Sequence, residues 1–260
     1  MGFVKTAAEL AQYFEARNRR FPGARMLGAL FQTRPEIVAR LLPPPLEPAE
    51  TPGGLVFIAE YPETSMGPGY REAALFLQCR YRGEAGTYCL AMPIDSEEVR
   101  CTNGREIFGF PKKLAKIHLE RHDGTVHGWV ERHGVRFFEL EVELMSELPA
   151  LAPTGPNFLF KAQPRIDLQP GFEGPVLLCK QTTEIALQSL QVGRPALTFR
   201  ASARDPWAEV EVTATIAGFY LVSDNTMRAG EVITPVDGDA YLPYHFKGID
   251  FPVGEDRRTS

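Results

Sequence analysis

The sequence predicts an α+β protein, mainly antiparallel β and barrel-like, with flanking helices near the N-terminus and a further one near the C-terminus. Three observations lead there. From Leu55 onward, short alternating apolar runs are separated by Gly, Asp or Pro, as strands are. Helical spacing of apolar residues is clearest before Pro43-Pro44-Pro45. No Pro- or Ser-rich linker and no repeat divides the 260 residues, so a single domain, 1–260, is expected.

Thr6 precedes AAELAQYFEARNRR, which reads as a capped amphipathic helix with Leu10, Tyr13 and Phe14 on one side. This N-terminal helix (1–20) ends near Arg20, where Phe21-Pro22-Gly23 breaks the pattern. After an apolar run from Arg25 to Phe31, Thr33 is placed to cap a second helix starting at Arg34 or Pro35. Ile37, Val38, Leu41 and Leu42 form its buried stripe, and three prolines stop it. Strands are expected at 55–61, 73–81, 87–92, 116–121, 126–132 and 135–144. His122-Asp123-Gly124 and His133-Gly134 turn the last three into a meander. Further strands are expected at 157–161, 176–181, 185–190, 196–200 and 209–222. In the last, Val210, Val212, Ala214 and Ile216 alternate as one buried face. Residues 250–260 read as a flexible tail.

With 28 Lys+Arg against 33 Asp+Glu, the net charge is -5 and no basic block stands out. That argues against nucleic-acid binding, which needs a concentrated phosphate-neutralising surface. Cys79, Cys89, Cys101 and Cys179 show no C-x-x-C pairing, so neither a zinc site nor a disulfide scaffold is expected. The start lacks the apolar stretch of a signal peptide, and no run approaches the length of a membrane span. A cytoplasmic, reduced protein with no membrane association is the expectation.

The chemistry concentrates in Gly104-Arg105-Glu106-Ile107-Phe108-Gly109-Phe110-Pro111-Lys112-Lys113-Leu114, two adjacent lysines in an aromatic and apolar frame. A lysine pair on a turn is ordinarily solvent-exposed. The alternative is an activated amine: lysine becomes a nucleophile at neutral pH when burial or a second cation disfavours its charged form. Phe108, Phe110, Leu114 and Ile117 offer the first effect and Lys113 the second. No G-x-S-x-G elbow and no phosphate-binding Gly loop follow a strand, and the histidines, four of them on the meander, lack ligand spacing.

The segment GREIFGFPKKLA resembles the Schiff-base lysine motif of the acetoacetate decarboxylase family, which is also a standard example of lysine activation by desolvation or a cationic neighbour. Pro43-Pro44-Pro45-Leu46, Gly67-Pro68-Gly69-Tyr70-Arg71-Glu72 and Pro156-Asn157-Phe158-Leu159-Phe160-Lys161 with Pro164 resemble family blocks in the same order. The resemblance implies the family fold, a homo-oligomer, a small keto-acid substrate and no metal or organic cofactor. It makes Lys112 the imine-forming amine, Lys113 its cationic neighbour and Glu72 the active-site glutamate. The family's carboxylate-binding arginine falls at Ala24 by ungapped count, with Arg25 one residue on. Either the loop shifts by one and Arg25 serves, or the residue is missing. Phe110, Phe31, Met92, Tyr241 and Tyr244 are the candidate pocket walls, although residues like Tyr241 and Tyr244 are more often packing residues.

The implied reaction is decarboxylation of an acetoacetate-like β-keto acid to a ketone and carbon dioxide. Two alternatives stand beside it. The same imine serves aldolase-dehydratases of the superfamily, which condense pyruvate-like keto acids with aldehydes. A barrel that binds an apolar ligand without catalysis is the other.

Overall fold

The computed structural model describes residues 2–15, 18–96, 103–150 and 155–250. Cys101 and the tail beyond Asp250 lie outside the described residues.

Helix α1 (Ala7–Glu15) opens with the capping box expected of a Thr6 start: Glu9 N donates to Thr6 Oγ1 (3.2 Å) and Thr6 N to Glu9 Oε2 (2.8 Å). It ends well before Arg20, and its Leu10, Tyr13 and Phe14 are exposed. Arg19 already begins β1 (Arg19–Gln32). Pro22-Gly23, which looks like a break in sequence, is instead a bulge: Phe21 faces Asn225 but Ala24 faces Ser223, one extra residue on β1. Gly23 supplies the φ of +60° that the bulge needs, and its amide donates to Asp224 Oδ1 at 2.8 Å. Helix α2 (Pro35–Leu41) has Pro35 in its first turn. Its N-cap is Arg34 rather than Thr33, whose buried hydroxyl has no hydrogen-bond partner.

The remaining strands are β2 (Glu47–Pro48), β3 (Gly53–Thr64), β4 (Gly67–Tyr81), β5 (Glu84–Ile94), β6 (Lys112–Leu114), β7 (Lys116–His122), β8 (Thr125–Arg132), β9 (Val135–Glu147), β10 (Asn157–Lys161), β11 (Val176–Gln181), β12 (Thr183–Phe199), β13 (Ala214–Met227) and β14 (Glu231–Val236); α3 (Gly238–His245) follows. The meander turns are as expected. Asp123-Gly124 and His133-Gly134 have positive φ at both positions, the two-residue I′ geometry that matches strand twist. The expected strand from 209 starts later: Trp207–Glu209 is a 3₁₀ turn, and Ala214 and Ile216 are exposed. Val210 is buried, but the alternation from 210 to 216 marks no continuous face.

Hydrogen-bonded strands run in the order β14-β11-β10-β5-β4-β3-β1-β13-β12-β9-β8-β7, with β2 on β4 and β6 on β5 as short branches. Among the described strand pairs, only β5–β10 and β5–β6 are parallel. The sheet is barrel-like in its coiling but open, since β7 and β14 end the path unpaired with one another. Coiling brings β8 over β3, where a Cβ on Gly128 would meet the Ile58 side chain at 2.7 Å. Leu27, Ile58, Leu75, Val126, Phe138 and Leu140 fill the main core. The opposite face of β1, β3, β4 and β5 carries a second apolar cluster with Phe21, Ala24, Phe57, Tyr61, Phe76 and Met92, roofed by Phe110.

Gly28 on β1 faces Phe219 on β13, and a Cβ there would lie 2.2 Å from the Phe219 ring. Gly28→Ala is expected to destabilise the protein by about 1–3 kcal/mol, the usual cost of overpacking, measured as a lower urea midpoint with an unchanged denaturant slope.

Candidate active site

Three local features deliver Lys112 into the second cluster. A π-helical turn, Asn103–Phe108, carries the chain over the sheet, and Gly109 at φ +83° reverses it. Pro111 and β6 then lie along the end of β5, with Met92 N bonded to the Pro111 carbonyl and Met92 opposite Lys112. The Lys112 stem passes so close to Gly104 that a Cβ there would lie 2.3 Å from Cε and 2.5 Å from Cδ.

The Lys112 side chain is 7% exposed and Glu72 9%. Lys112 Nζ contacts Glu72 Oε2 at 2.5 Å, and the other carboxylate oxygen accepts from the Tyr61 hydroxyl at 3.0 Å. The Phe110 ring centroid is 5.9 Å from Nζ. Strand pairing explains the triad: Glu72 faces Ala59, so Tyr61, two residues on, shares its side of the β3–β4 hairpin. Burial and the Glu72 charge push the Tyr61 phenol well above its ordinary range. Tyr61 is therefore a fixed donor to one Glu72 oxygen, and the other oxygen faces the Lys112 amine.

Of the residues expected from sequence, Lys112, Glu72, Phe110 and Met92 come together. Lys113 does not join them. It leaves β6 on the other side and pairs with Asp250 at 2.9 Å and Asp205 at 3.6 Å. Phe31 lies in the main core, edge-on to Phe199. Tyr241 stacks on Phe160 there, and Tyr244 packs against the same core. Arg25 also stands apart. The bulge at Gly23 sets the alternation so that Ala24, fully buried, faces the Lys112 cluster while Arg25 shares a side with Glu60 and Arg71. Its guanidinium pairs with Glu60 at 3.2 Å, and Arg71 bridges Glu60 (2.8 Å) and Asp95 (3.8 Å) in a cleft of about 510 Å³.

Tyr61 was not signalled by the motifs; only the register of the Thr64–Gly67 hairpin places it beside Glu72. Lys247 was missed as well. From a 3₁₀ turn (Phe246–Gly248) its amine reaches the Tyr88 hydroxyl and the Cys89 carbonyl (2.7 Å), 3.8 Å from the Tyr88 ring centroid. Burial pushes this ammonium down to about 7, and burial pushes the Cys89 thiol up to about 12. Among the described residues, no three His, Cys, Asp or Glu side chains are grouped to hold a metal ion, and no helix is long and apolar enough to cross a membrane.

Comparison with known proteins places this geometry in context. The family model described as acetoacetate decarboxylase matches residues 4–236. Acetoacetate decarboxylase of Chromobacterium violaceum is 30% identical over 219 residues, 82% of this chain and 87% of that protein. The Paraburkholderia phytofirmans acetoacetate decarboxylase is 31% identical over 221 residues, 82% and 85% of the two chains. Among solved structures, acetoacetate decarboxylase from Legionella pneumophila superposes with a TM-score of 0.77 at 24% identity, covering 84% of this chain and 87% of that one. The enduracididine biosynthesis enzyme MppR complexed with pyruvate superposes at 0.73 with 17% identity, covering 84% and 90%.

Two outcomes follow from the site. Gly104→Ala is expected to fold normally, because the clash falls on a flexible lysine stem, yet to displace the Lys112 amine; a near-native melting temperature with several-fold faster acetylation of Lys112 by acetic anhydride, read by peptide mass, reports both. For Lys247, the folded value lies below that of an unfolded lysine, about 10.4, so the unfolded chain holds a proton that the folded chain lacks above about pH 7. The cost is full below that value and is relieved as pH rises. The unfolding free energy of the wild type relative to Lys247→Met is expected to rise by about 2 kcal/mol between about pH 7.5 and about pH 9, by denaturant titration at each pH.

Proposed function

The chain belongs to the acetoacetate decarboxylase family, an acetoacetate decarboxylase-like enzyme, and from that premise we propose that it decarboxylates a small β-keto acid to a ketone through a Schiff base on Lys112. The observation that carries this reading is the buried 2.5 Å contact between Lys112 Nζ and Glu72 Oε2.

Glu72 takes a proton from the Lys112 ammonium, and the neutral amine adds to the ketone carbon to give a carbinolamine. Return of a proton to the carbinolamine hydroxyl expels water and leaves a protonated imine. The bond to the carboxylate carbon then breaks, its electron pair moving into the iminium to give a neutral enamine and carbon dioxide. Protonation at carbon restores the iminium, and water releases the ketone and the amine. Tyr61 holds Glu72 with one oxygen toward Lys112, so that one carboxylate serves successive proton transfers. The surrounding Phe57, Phe76, Met92 and Phe110 solvate a substrate carboxylate poorly, and its charge disappears in the step.

A second reading is favoured by one observation. With Ala24 on the Lys112 side and Arg25 turned to Glu60, the position of the family's carboxylate anchor carries no charge. An enamine formed from a pyruvate-like keto acid would there add to an aldehyde, with loss of water, instead of following loss of carbon dioxide.

Intact-mass measurement after acetoacetate and borohydride, with carbon dioxide followed in parallel, tests the reading. Wild type is expected to gain a reduced adduct and release gas. Lys112→Arg, which keeps the charge but forms no imine, is expected to do neither. Glu72→Gln is expected to lower kcat by about 10²–10⁴-fold. An adduct without gas, together with one from pyruvate that reacts onward with an aldehyde, would select the second reading. No adduct from either keto acid would contradict both and leave a non-catalytic apolar-ligand protein.

A further inference from the structure

Strand β6 is only three residues long, and its weak attachment contrasts with the precision its lysine requires. Among the described strands it pairs with β5 alone, and the residue opposite Lys113 is Pro93, which has no amide to donate. Successive side chains leave opposite sides, so Lys112 enters the apolar site while Lys113 emerges behind it.

Behind β6 stands a square of charges. Lys113 Nζ pairs with Asp250 Oδ1 (2.9 Å) and Asp205 Oδ1 (3.6 Å) and donates to the Arg204 carbonyl (2.8 Å). Arg132 spans the same two carboxylates, 2.8 and 2.9 Å from the Asp205 oxygens and 3.1 and 2.8 Å from those of Asp250. Its Nε donates to the Leu114 carbonyl of β6 at 2.7 Å. His133 Nε2 lies 3.1 Å from Asp250. Arg132 and Lys113 are about one-tenth exposed and Asp205 less, so each unpaired charge would stand in poorly solvated surroundings. Asp205 is held by its own loop, its amide donating to Ser202 Oγ. Asp250 comes from the far end of the chain, after Lys247 has fastened to β5 and Gly248 has come to lie against Pro111.

We propose that Asp250 is a positioning residue for Lys112: by closing the charge square on Lys113 and Arg132, it holds β6 so that the Lys112 amine meets Glu72. The inference rests on the reading of Lys112 as the reacting amine. It gives the C-terminal turn a part in catalysis and gives Lys113 a mechanical role in place of an electrostatic one.

The test uses full-length wild type, Asp250→Asn and Asp250→Glu. Acetoacetate kinetics are paired with brief acetic anhydride labelling, in which Lys112 modification is read by peptide mass relative to the exposed Lys116. Asp250→Asn is expected to lower kcat by ~10- to 100-fold with KM unchanged, as loss of alignment does. Lys112 labelling should rise several-fold relative to Lys116 as the amine leaves Glu72, and Asp250→Glu should restore both. An Asp250→Asn protein that is merely less stable, with wild-type kcat per folded molecule and unchanged Lys112 labelling, would overturn the proposal. The two readings fail separately: a wild type inactive on every keto acid contradicts the proposed function, while the labelling ratio still reports whether Asp250 positions Lys112.

Discussion

The structure depends on a lysine and a glutamate buried against one another in an apolar cluster. Removing two charges from water costs several kcal/mol per ion after relaxation, and that cost is recovered only with close geometry and satisfied partners. Here the contact is 2.5 Å, and the second Glu72 oxygen is occupied by a tyrosine that burial keeps protonated. A pair of this kind is a weak device for stability; in the proposed reaction it is where the amine would lose and regain a proton. The π-helical turn, the reversal at Gly109, the absence of a side chain at Gly104 and the register of the β3–β4 hairpin all act on this one contact.

The sheet divides the charges of the neighbourhood between its faces. Arg25, Glu60, Arg71 and Asp95 pair on one side, and the Lys112–Glu72 pair stands on the other among Phe57, Phe76 and Met92. Alternation in β6 makes the same division at closer range, sending Lys113 to Asp205 and Asp250. Lys113 therefore lies on the far side of β6, paired with two carboxylates, and places no cation in contact with the Lys112 amine. With an apolar residue at position 24, substrate orientation in the proposed reaction would come from the imine, Glu72 and shape.

Much of this was legible in the sequence, where local chemistry decides structure. Thr6 with Glu9 capped a helix, Asp123-Gly124 and His133-Gly134 formed the I′ turns, and Lys112 and Glu72 met as the family resemblance implied. The failures share a cause: each depended on a register or a long-range approach that no local pattern encodes. The bulge at Gly23 shifts the alternation of β1 by one, putting Phe21 and Ala24 on one side, and an ungapped count cannot see it. Lys247 meets Cys89 across 158 residues, and Asp250 meets Arg132 across 118. Phe31 and Tyr241 carry the right composition for a pocket wall, but sheet alternation assigns Phe31 to the main core and α3 lays Tyr241 on Phe160.

Ketone oxygen exchange tests the central claim most directly, because an enzyme that forms and hydrolyses a ketimine must replace the ketone oxygen with one from water whatever follows the imine. Acetone carrying ¹⁸O, incubated with the wild-type protein and followed by mass spectrometry, is expected to lose its label at a rate proportional to protein concentration. The loss should slow when Glu72 is replaced by Gln and fall to the buffer rate when Lys112 is replaced by Arg. Washout by the Lys112→Arg protein at the wild-type rate, or no washout by the wild type above buffer, would contradict the assignment of the buried pair as a Schiff-base centre.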